Sequence, residues 1–175
     1  RWYDMDSLVY ISGLSELEAV MGDDEKLISD VSDAARQLHP RFIALAGTPI
    51  PMITGCDLPA IAREVEGRTK IPSFAVPSNG IGTYVAGAGQ ALRLYAERFI
   101  TSRPEKRKNA VNILGATPLD FSVNGCVQSM ARRLEEAGFT LQSVFAMSSS
   151  IDAIDKAGAA EANLVISSVG LPAAK

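Results

Sequence analysis

Short apolar runs alternate with amphipathic ones along almost the whole chain, and that alternation leaves few folds open. Phe42-Ile43-Ala44-Leu45-Ala46 is a compact apolar run that stops at Gly47. Leu27, Ile28, Val31, Ala34, Ala35 and Leu38 before it, and Leu58 to Glu66 after it, carry helical spacing. Strand followed by helix, repeated, argues for an α/β fold: parallel sheets with helices on both faces, arranged as two Rossmann-like units. Where such a strand hands over to a helix, α/β proteins place ligands. The stretch Gly47-Thr48-Pro49-Ile50-Pro51-Met52-Ile53-Thr54-Gly55-Cys56-Asp57-Leu58 is the fullest such handover here.

The remaining elements follow the same logic. Leu8 to Gly13 is short, β-branched and aromatic, and reads as a strand; Ser15 to Met21 reads as a short helix or turn. Asp23 and Asp24 cap and charge the start of the next helix, which His39-Pro40 ends. Asp57 caps the helix from Leu58, with Pro59 in its first turn. Strand Ile71 to Val76 runs into the turn Pro77-Ser78-Asn79-Gly80, and a helix spans about Thr83 to Ile100. The polar run Ser102 to Asn109 is the expected linker. It divides a first domain, 1–103, from a second, 104–175, which reads as a truncated piece of a longer chain. After it come strand Ala110 to Leu114, loop Gly115 to Val123, helix Gly125 to Ala137 with Gly138 as its C-cap, strand Thr140 to Ala146, helix Ile151 to Ala157 and strand Leu164 to Ser168. The halves echo each other. Ala46-Gly47-Thr48-Pro49 matches Gly115-Ala116-Thr117-Pro118, and Ser78-Asn79-Gly80 matches Val123-Asn124-Gly125; shared loop geometry or the usual bias of loop composition explains this.

Composition narrows the function. With 47% hydrophobic and 21% charged residues the chain can bury a core, and a net charge of -3 offers no basic footprint for nucleic acid. No apolar run is long enough to span a membrane and no secretory leader is visible; the first residue is Arg1 rather than Met, which fits a piece of a longer protein. Two cysteines far apart make no disulfide framework and point to a reducing, cytoplasmic setting. One histidine, His39, excludes any site needing two from this chain. Gly80-Ile81-Gly82-Thr83-Tyr84-Val85 sits where a dinucleotide fingerprint belongs, but Val85 occupies its third glycine position. Those glycines, with Gly87 and Gly89, read better as sites of close helix packing. Cys56 beside Asp57 at a helix N-terminus is either a thiolate-prone group or a small packing residue. Ser148 to Ser150 either cap a helix or hold an anion.

Several segments together resemble the nitrogenase component 1 superfamily: the molybdenum–iron protein subunits, their cofactor-assembly scaffolds and the dark-operative protochlorophyllide and chlorophyllide reductases. Ser15 to Leu27 is similar to the family's E-x-x-x-x-x-G-x-x-x-K-L segment, and His39-Pro40-Arg41-Phe42-Ile43 to its P-x-x-I entry into a strand. Met52 to Ala62 is similar to L-I-G-D-D-I-x-A-V-A; Ile71 to Val76 with Asn79-Gly80-Ile81 is similar to P-V-I-x-V-x-C-x-G-F. Asn112-Ile113-Leu114-Gly115 and Asn163-Leu164-Val165-Ile166 fit its second domain. The resemblance implies an oxidoreductase subunit taking electrons from a reductase-like donor toward a metal or tetrapyrrole-type cofactor or substrate, in a homo- or hetero-oligomer with a related subunit. It also implies an iron–sulfur cluster in the full-length protein. The chain departs from the family where cluster cysteines are expected: those places fall at Thr48 or Pro49 and at Ser78, and Cys56 stands where the family has the first Asp of its pair. A hydroxyl is a poor substitute for a thiolate on iron. The alternative is therefore a non-redox cofactor-binding or scaffold module that kept the fold. The residues expected to face a cofactor are Thr48, Thr54, Gly55, Cys56, Asp57, Ser78, Asn79 and Gly80; no metal ligand or catalytic residue is assigned.

Overall fold

The computed structural model describes residues 9–13, 15, 21–101, 104–121 and 125–175. The chain forms two compact units, Arg1–Ile81 and Gly82–Lys175. The division falls ahead of the polar run read as a linker, and the helix that follows Gly82 packs within the second unit.

In the first unit, helix α1 (Asp24–Leu38) starts where the Asp23 carboxylate accepts from Lys26 N, with Asp24 and Glu25 favourable in its first turn. It ends at His39, in the left-handed conformation that closes the helix. Strand β1 (Ile43–Ala46), the short helix α2 (Pro49–Ile53), helix α3 (Leu58–Thr69) and strand β2 (Ser73–Val76) follow. The two strands pair in parallel, Ile43 opposite Ser73 and Ala46 opposite Val76. Ile28 and Val31 of α1, Ile61, Ala62 and Val65 of α3 and Leu45 of β1 make one core cluster. Ile43 and Leu45 share a face by the two-residue period of a strand, so both helices cover that face. Arg68 of α3 closes the pair from outside with a bidentate contact to Glu25, 2.6 and 2.9 Å.

Val9 to Gly13, read as a strand, lies in no strand; Val9 is 84% exposed. Its fixed points are polar ones to α1: Ser12 Oγ donates to Asp30, and Lys26 Nζ donates to the Gly13 carbonyl. Most of the helix or turn expected at Ser15 to Met21 lies outside the described residues.

In the second unit, helix α4 (Tyr84–Phe99) is capped by Thr83 Oγ1, which accepts from Ala86 N. Strand β3 (Arg107–Leu114), helix α5 (Pro118–Phe121), helix α6 (Cys126–Glu136), strand β4 (Thr140–Val144), helix α7 (Ile151–Asp155), strand β5 (Ala160–Val165) and helix α8 (Leu171–Ala174) complete the order. The sheet runs β4-β3-β5, all parallel. Ile113 packs with Val127 of α6, and Leu114 packs with Leu92 and Ala96 of α4. Successive residues of the central strand thus serve opposite helical layers. This arrangement buries a parallel strand on both faces.

Two strand limits differ from expectation for physical reasons. Arg107-Lys108-Asn109, read as linker, is the exposed first half of β3; the register shifts there and Asn109 takes φ +58. Polarity marked exposure, not a loop. Strand β5 begins at Ala160 rather than Leu164: Ala160-Glu161-Ala162-Asn163 has weak strand propensity, and pairing with β3 makes it strand.

A buried polar row ties the three strands together. Asn112 of β3 is 3% exposed and Ser143 of β4 1%. Ser143 Oγ donates to Asn112 Oδ1 at 2.7 Å. Asn112 Nδ2 donates to Asn163 Oδ1 of β5 at 2.8 Å and to the Ala157 carbonyl at 3.0 Å. Asn112 lies opposite both Ser143 and Asn163. A register slip on either side would break this row, so it fixes the sheet's alignment.

Candidate functional site

Parallel strands end on the same side, so the loops after β1 and β2 meet. Ser78 Oγ donates to the Gly47 carbonyl at 2.9 Å. A side chain at 47 would begin 2.5 Å from the Ser78 carbonyl oxygen, so only glycine fits. Gly80 (φ +70) lies against the Pro49 ring, which a Cβ would approach to 2.7 Å. The structure therefore brings Ser78, Asn79 and Gly80 beside Gly47, Thr48 and Pro49.

Most polar atoms of this loop pair are spent on the loops themselves. Asn79 Oδ1 accepts from Ile81 N at 2.9 Å. Thr54 Oγ1 lies 3.2 Å from the Pro51 carbonyl. Asp57 caps α3, its carboxylate accepting from Ala60 N at 2.9 Å. Gly55 takes φ +75 to turn the chain from α2 into α3. Thr48 precedes α2 in extended conformation with no side-chain capping bond, and its side chain is exposed. Among the eight candidates, Thr48 has the hydroxyl best placed for a ligand.

Cys56 behaves as the packing reading expects. It packs on the core cluster of α1, α3 and β1. Burial, then a hydrogen bond to and the charge of Asp24, push its thiol up to about 11. Burial first, and the neighbouring carboxylates second, act against the thiolate that a helix N-terminus favours. Among the described residues no group of three or more His, Cys, Asp or Glu side chains could hold a metal ion. A half-buried protonated thiol, an exposed Thr48 and a Ser78 hydroxyl bonded to backbone do not make the donor set of an iron–sulfur cluster.

The second unit carries a loop junction that the residue reading did not select. Its central strand is flanked on both sides by parallel neighbours, β4 and β5, and open α/β sheets bind ligands beyond the carboxyl ends of their strands. At the carboxyl end of β3, Gly115 takes φ +91; a Cβ there would sit 2.6 Å from Ser167 Oγ and 2.9 Å from Gly170 N. Ser167 Oγ donates to the Gly115 carbonyl at 2.7 Å. The loops after β3 and β5 are thus in direct contact through small residues. Beside them, Thr117 Oγ1 donates to Asp120 at 3.1 Å, and the Tyr84 hydroxyl meets both. Burial, then the bond to Asp120, raises the Tyr84 phenol above its ordinary value. The cluster offers a carboxylate and two hydroxyls for binding and orientation, with no nucleophile–base pair among them.

The repeated Gly and Thr-Pro pattern was the one signal that pointed here. In each unit a strand ends, a Thr precedes a Pro that starts a short helix, and a longer helix follows: β1 to α2 to α3, and β3 to α5 to α6. The other half of the echo is not equivalent. Ser78 to Gly80 follow the second strand of their unit, whereas Gly125 precedes α6, the second helix after β3, and Val123 and Asn124 lie outside the described residues. Ser150 caps α7 through Ala153 N, the structural reading of that serine run. Gly89 is buried where a Cβ would lie 3.1 Å from Pro172 and 3.2 Å from the Val169 carbonyl, so it serves close packing as expected.

Two parallel α/β units whose strands end in loops of glycine, serine and threonine define the class: a Rossmann-like α/β protein. A model described as nitrogenase component 1 type oxidoreductase matches residues 3–175, and the chain belongs to that family. It is 24% identical over 166 residues to the nitrogenase molybdenum-iron protein alpha chain of Clostridium pasteurianum, covering 93% of this chain and 30% of that one. It is 27% identical over 168 residues to the iron-molybdenum cofactor biosynthesis protein NifE of Methanosarcina barkeri, covering 89% of this chain and 35% of the relative. The solved structure "Nitrogenase Cp1 at pH 5" superposes with a TM-score of 0.76 at 24% identity over 90% of this chain and 32% of that one. The chain thus spans about a third of the length of these relatives. No helix among the described residues is long and apolar enough to cross a membrane.

Proposed function

We propose that the chain is the ligand-facing part of a nitrogenase component 1-like subunit acting in the cytoplasm. The full-length protein would pass electrons from a reductase-like donor toward a metal or tetrapyrrole-type cofactor or substrate, in a complex with a related subunit. The observation that carries this is the family match across residues 3–175. The loops at Gly115, Thr117 and Ser167 in the second unit, or the loop pair at Thr48 and Ser78 to Gly80 in the first, would face the cofactor.

A second reading, a cofactor-binding or scaffold module without a cluster of its own, draws support from the first unit. Cys56 is held protonated, and Ser78 is bonded to backbone. A relative named as a cofactor biosynthesis protein is compatible with it. Anaerobic purification of the full-length protein, with iron quantitation and absorbance spectra before and after reduction, separates the two. A reducible cluster at stoichiometric iron supports electron transfer; tight binding of an added cofactor without resident iron supports the scaffold.

A further inference from the structure

The carboxyl end of the second unit's sheet has few groups that can carry a proton. Residues 82–175 contain no histidine. The loops after β3, β4 and β5 are residues 115–125, 145–150 and 166–170, and the one ionisable side chain in them is Asp120. Its Oδ2 lies 2.5 Å from the Tyr84 hydroxyl of α4 and 3.1 Å from Thr117 Oγ1, and those two hydroxyls are 2.5 Å apart. Among the described residues no further side chain bonds to these three groups. Thr117 is 5% exposed, Tyr84 is 38% exposed and Asp120 is open to solvent.

A proton count shows what this triangle can do. With Asp120 ionised there are two hydrogens, one on each hydroxyl, for three oxygen–oxygen contacts. The phenol donates to Asp120, so the Thr117 hydrogen serves either Asp120 or the phenol oxygen. Protonating Asp120 supplies a third hydrogen and fills all three contacts. The cluster therefore has a place for one added proton, taken from water at the exposed carboxyl group. Burial, then the bond to Asp120, holds the phenol above its ordinary value, so it keeps its own proton at neutral pH.

We propose that Tyr84 donates a proton to a ligand bound at this end, with Asp120 as its proton source and Thr117 as a positioning residue. The inference rests on the reductive reading above, in which each electron from the reductase-like donor is matched by one proton. The phenol O–H bond breaks as a ligand–hydrogen bond forms, the Asp120 proton passes to the phenolate oxygen, and water returns a proton to the Asp120 carboxylate. A general acid held within hydrogen-bond reach contributes about 100-fold or more to such a step.

Two measurements test it. The first is carbon-13 NMR of the protein labelled at Tyr Cζ and Asp Cγ, with no cofactor added. Tyr84 Cζ should shift in step with protonation of Asp120. Asp120→Asn should abolish that step, while Asp155→Asn, beside Tyr95, should leave it in place. A Tyr84 signal indifferent to Asp120 would overturn the proposal. The second is dihydrogen evolution by the full-length protein with dithionite as reductant. Tyr84→Phe should lower the rate about 100-fold at unchanged iron content, and Asp120→Asn should shift its pH profile. Tyr95→Phe, which loses a comparable bond to Asp155, should leave the rate unchanged. An unchanged rate in Tyr84→Phe overturns this inference alone. A parent protein that evolves no dihydrogen overturns the reductive reading and this inference with it.

Discussion

Asn112→Ala tests whether the buried polar row sets the second unit's architecture. The side chain makes three hydrogen bonds, of 2.7, 2.8 and 3.0 Å. Each nets about 0.5–1.5 kcal/mol, and truncation also strands the Ser143 hydroxyl and the Ala157 carbonyl away from a partner. The simple sum over the three bonds is about 1.5–4.5 kcal/mol. Asn112 borders the cavity beside β5, so water can reach part of the orphaned surface and the lower end is expected. With an m-value of roughly 2 kcal/mol/M, the urea midpoint of this unit should fall by about 1 M at constant m. Ser143→Ala should cost about 1 kcal/mol, and the double variant should show coupling of about 0.5–1.5 kcal/mol with Asn112→Ala. A loss under about 0.5 kcal/mol for Asn112→Ala, or no coupling, would refute the argument that this row pins the strands.

Gly115→Ala places a Cβ 2.6 Å from Ser167 Oγ at φ +91; it should destabilise by about 3 kcal/mol or more and alter the chemical shifts of the loops after β3 and β5, whereas Gly87→Ala, with open space around it, should be neutral or better in thermal melts. Cys56 should alkylate far more slowly than exposed Cys126 at pH 7.5, read by peptide mass spectrometry; equal rates would show that the thiol is not held protonated. The linkage has a definite sign. A folded-state pKa raised from 9.0 to about 11 adds stability that is complete below pH 9 and is lost as pH rises toward 11, so Cys56→Ser should flatten the alkaline limb of a stability–pH curve. The 175-residue chain prepared anaerobically should hold no stoichiometric iron; a cluster retained through Cys56 or Cys126, seen by iron analysis, would contradict this.

What could be read from residues alone follows from how local each signal is. Asp23 and Asp57 announced their helices because a cap is a contact between residues three apart. The limits of β3 and β5 were misread because a strand's extent depends on its neighbours. Arg107 to Asn109 are strand because Ala160 lies beside them, which no local pattern encodes. Val9 to Ile11 show the converse, a strand-like run that the sheet does not take up. Sequence left Cys56 open between a thiolate-prone group and a packing residue, because its burial and the charge of Asp24, from another helix, are not local signals.

The same distinction decides where the candidate site lies. The first unit attracted the residue reading because its loop is rich in named chemistry: threonine, cysteine, aspartate and asparagine in one stretch. The fold consumes most of that chemistry in capping α3, turning the chain at Gly55 and joining the loops at Ser78. In the second unit the important residues are the ones with least side chain. Gly115 and Gly170 let the ends of β3 and β5 meet, since a Cβ at either would overlap backbone or Ser167. Their contact leaves Thr117, Asp120 and Tyr84 grouped at the carboxyl edge of the central strand, where a parallel sheet with two flanking neighbours opens. The geometry of these loops is thus set by close backbone approach first and by polar side chains second. It follows that Gly170→Ala, with its Cβ 2.6 Å from the Leu114 carbonyl carbon, should impair cofactor binding by the full-length protein more than Thr48→Ala does; the reverse order in a binding titration would return the site to the first unit.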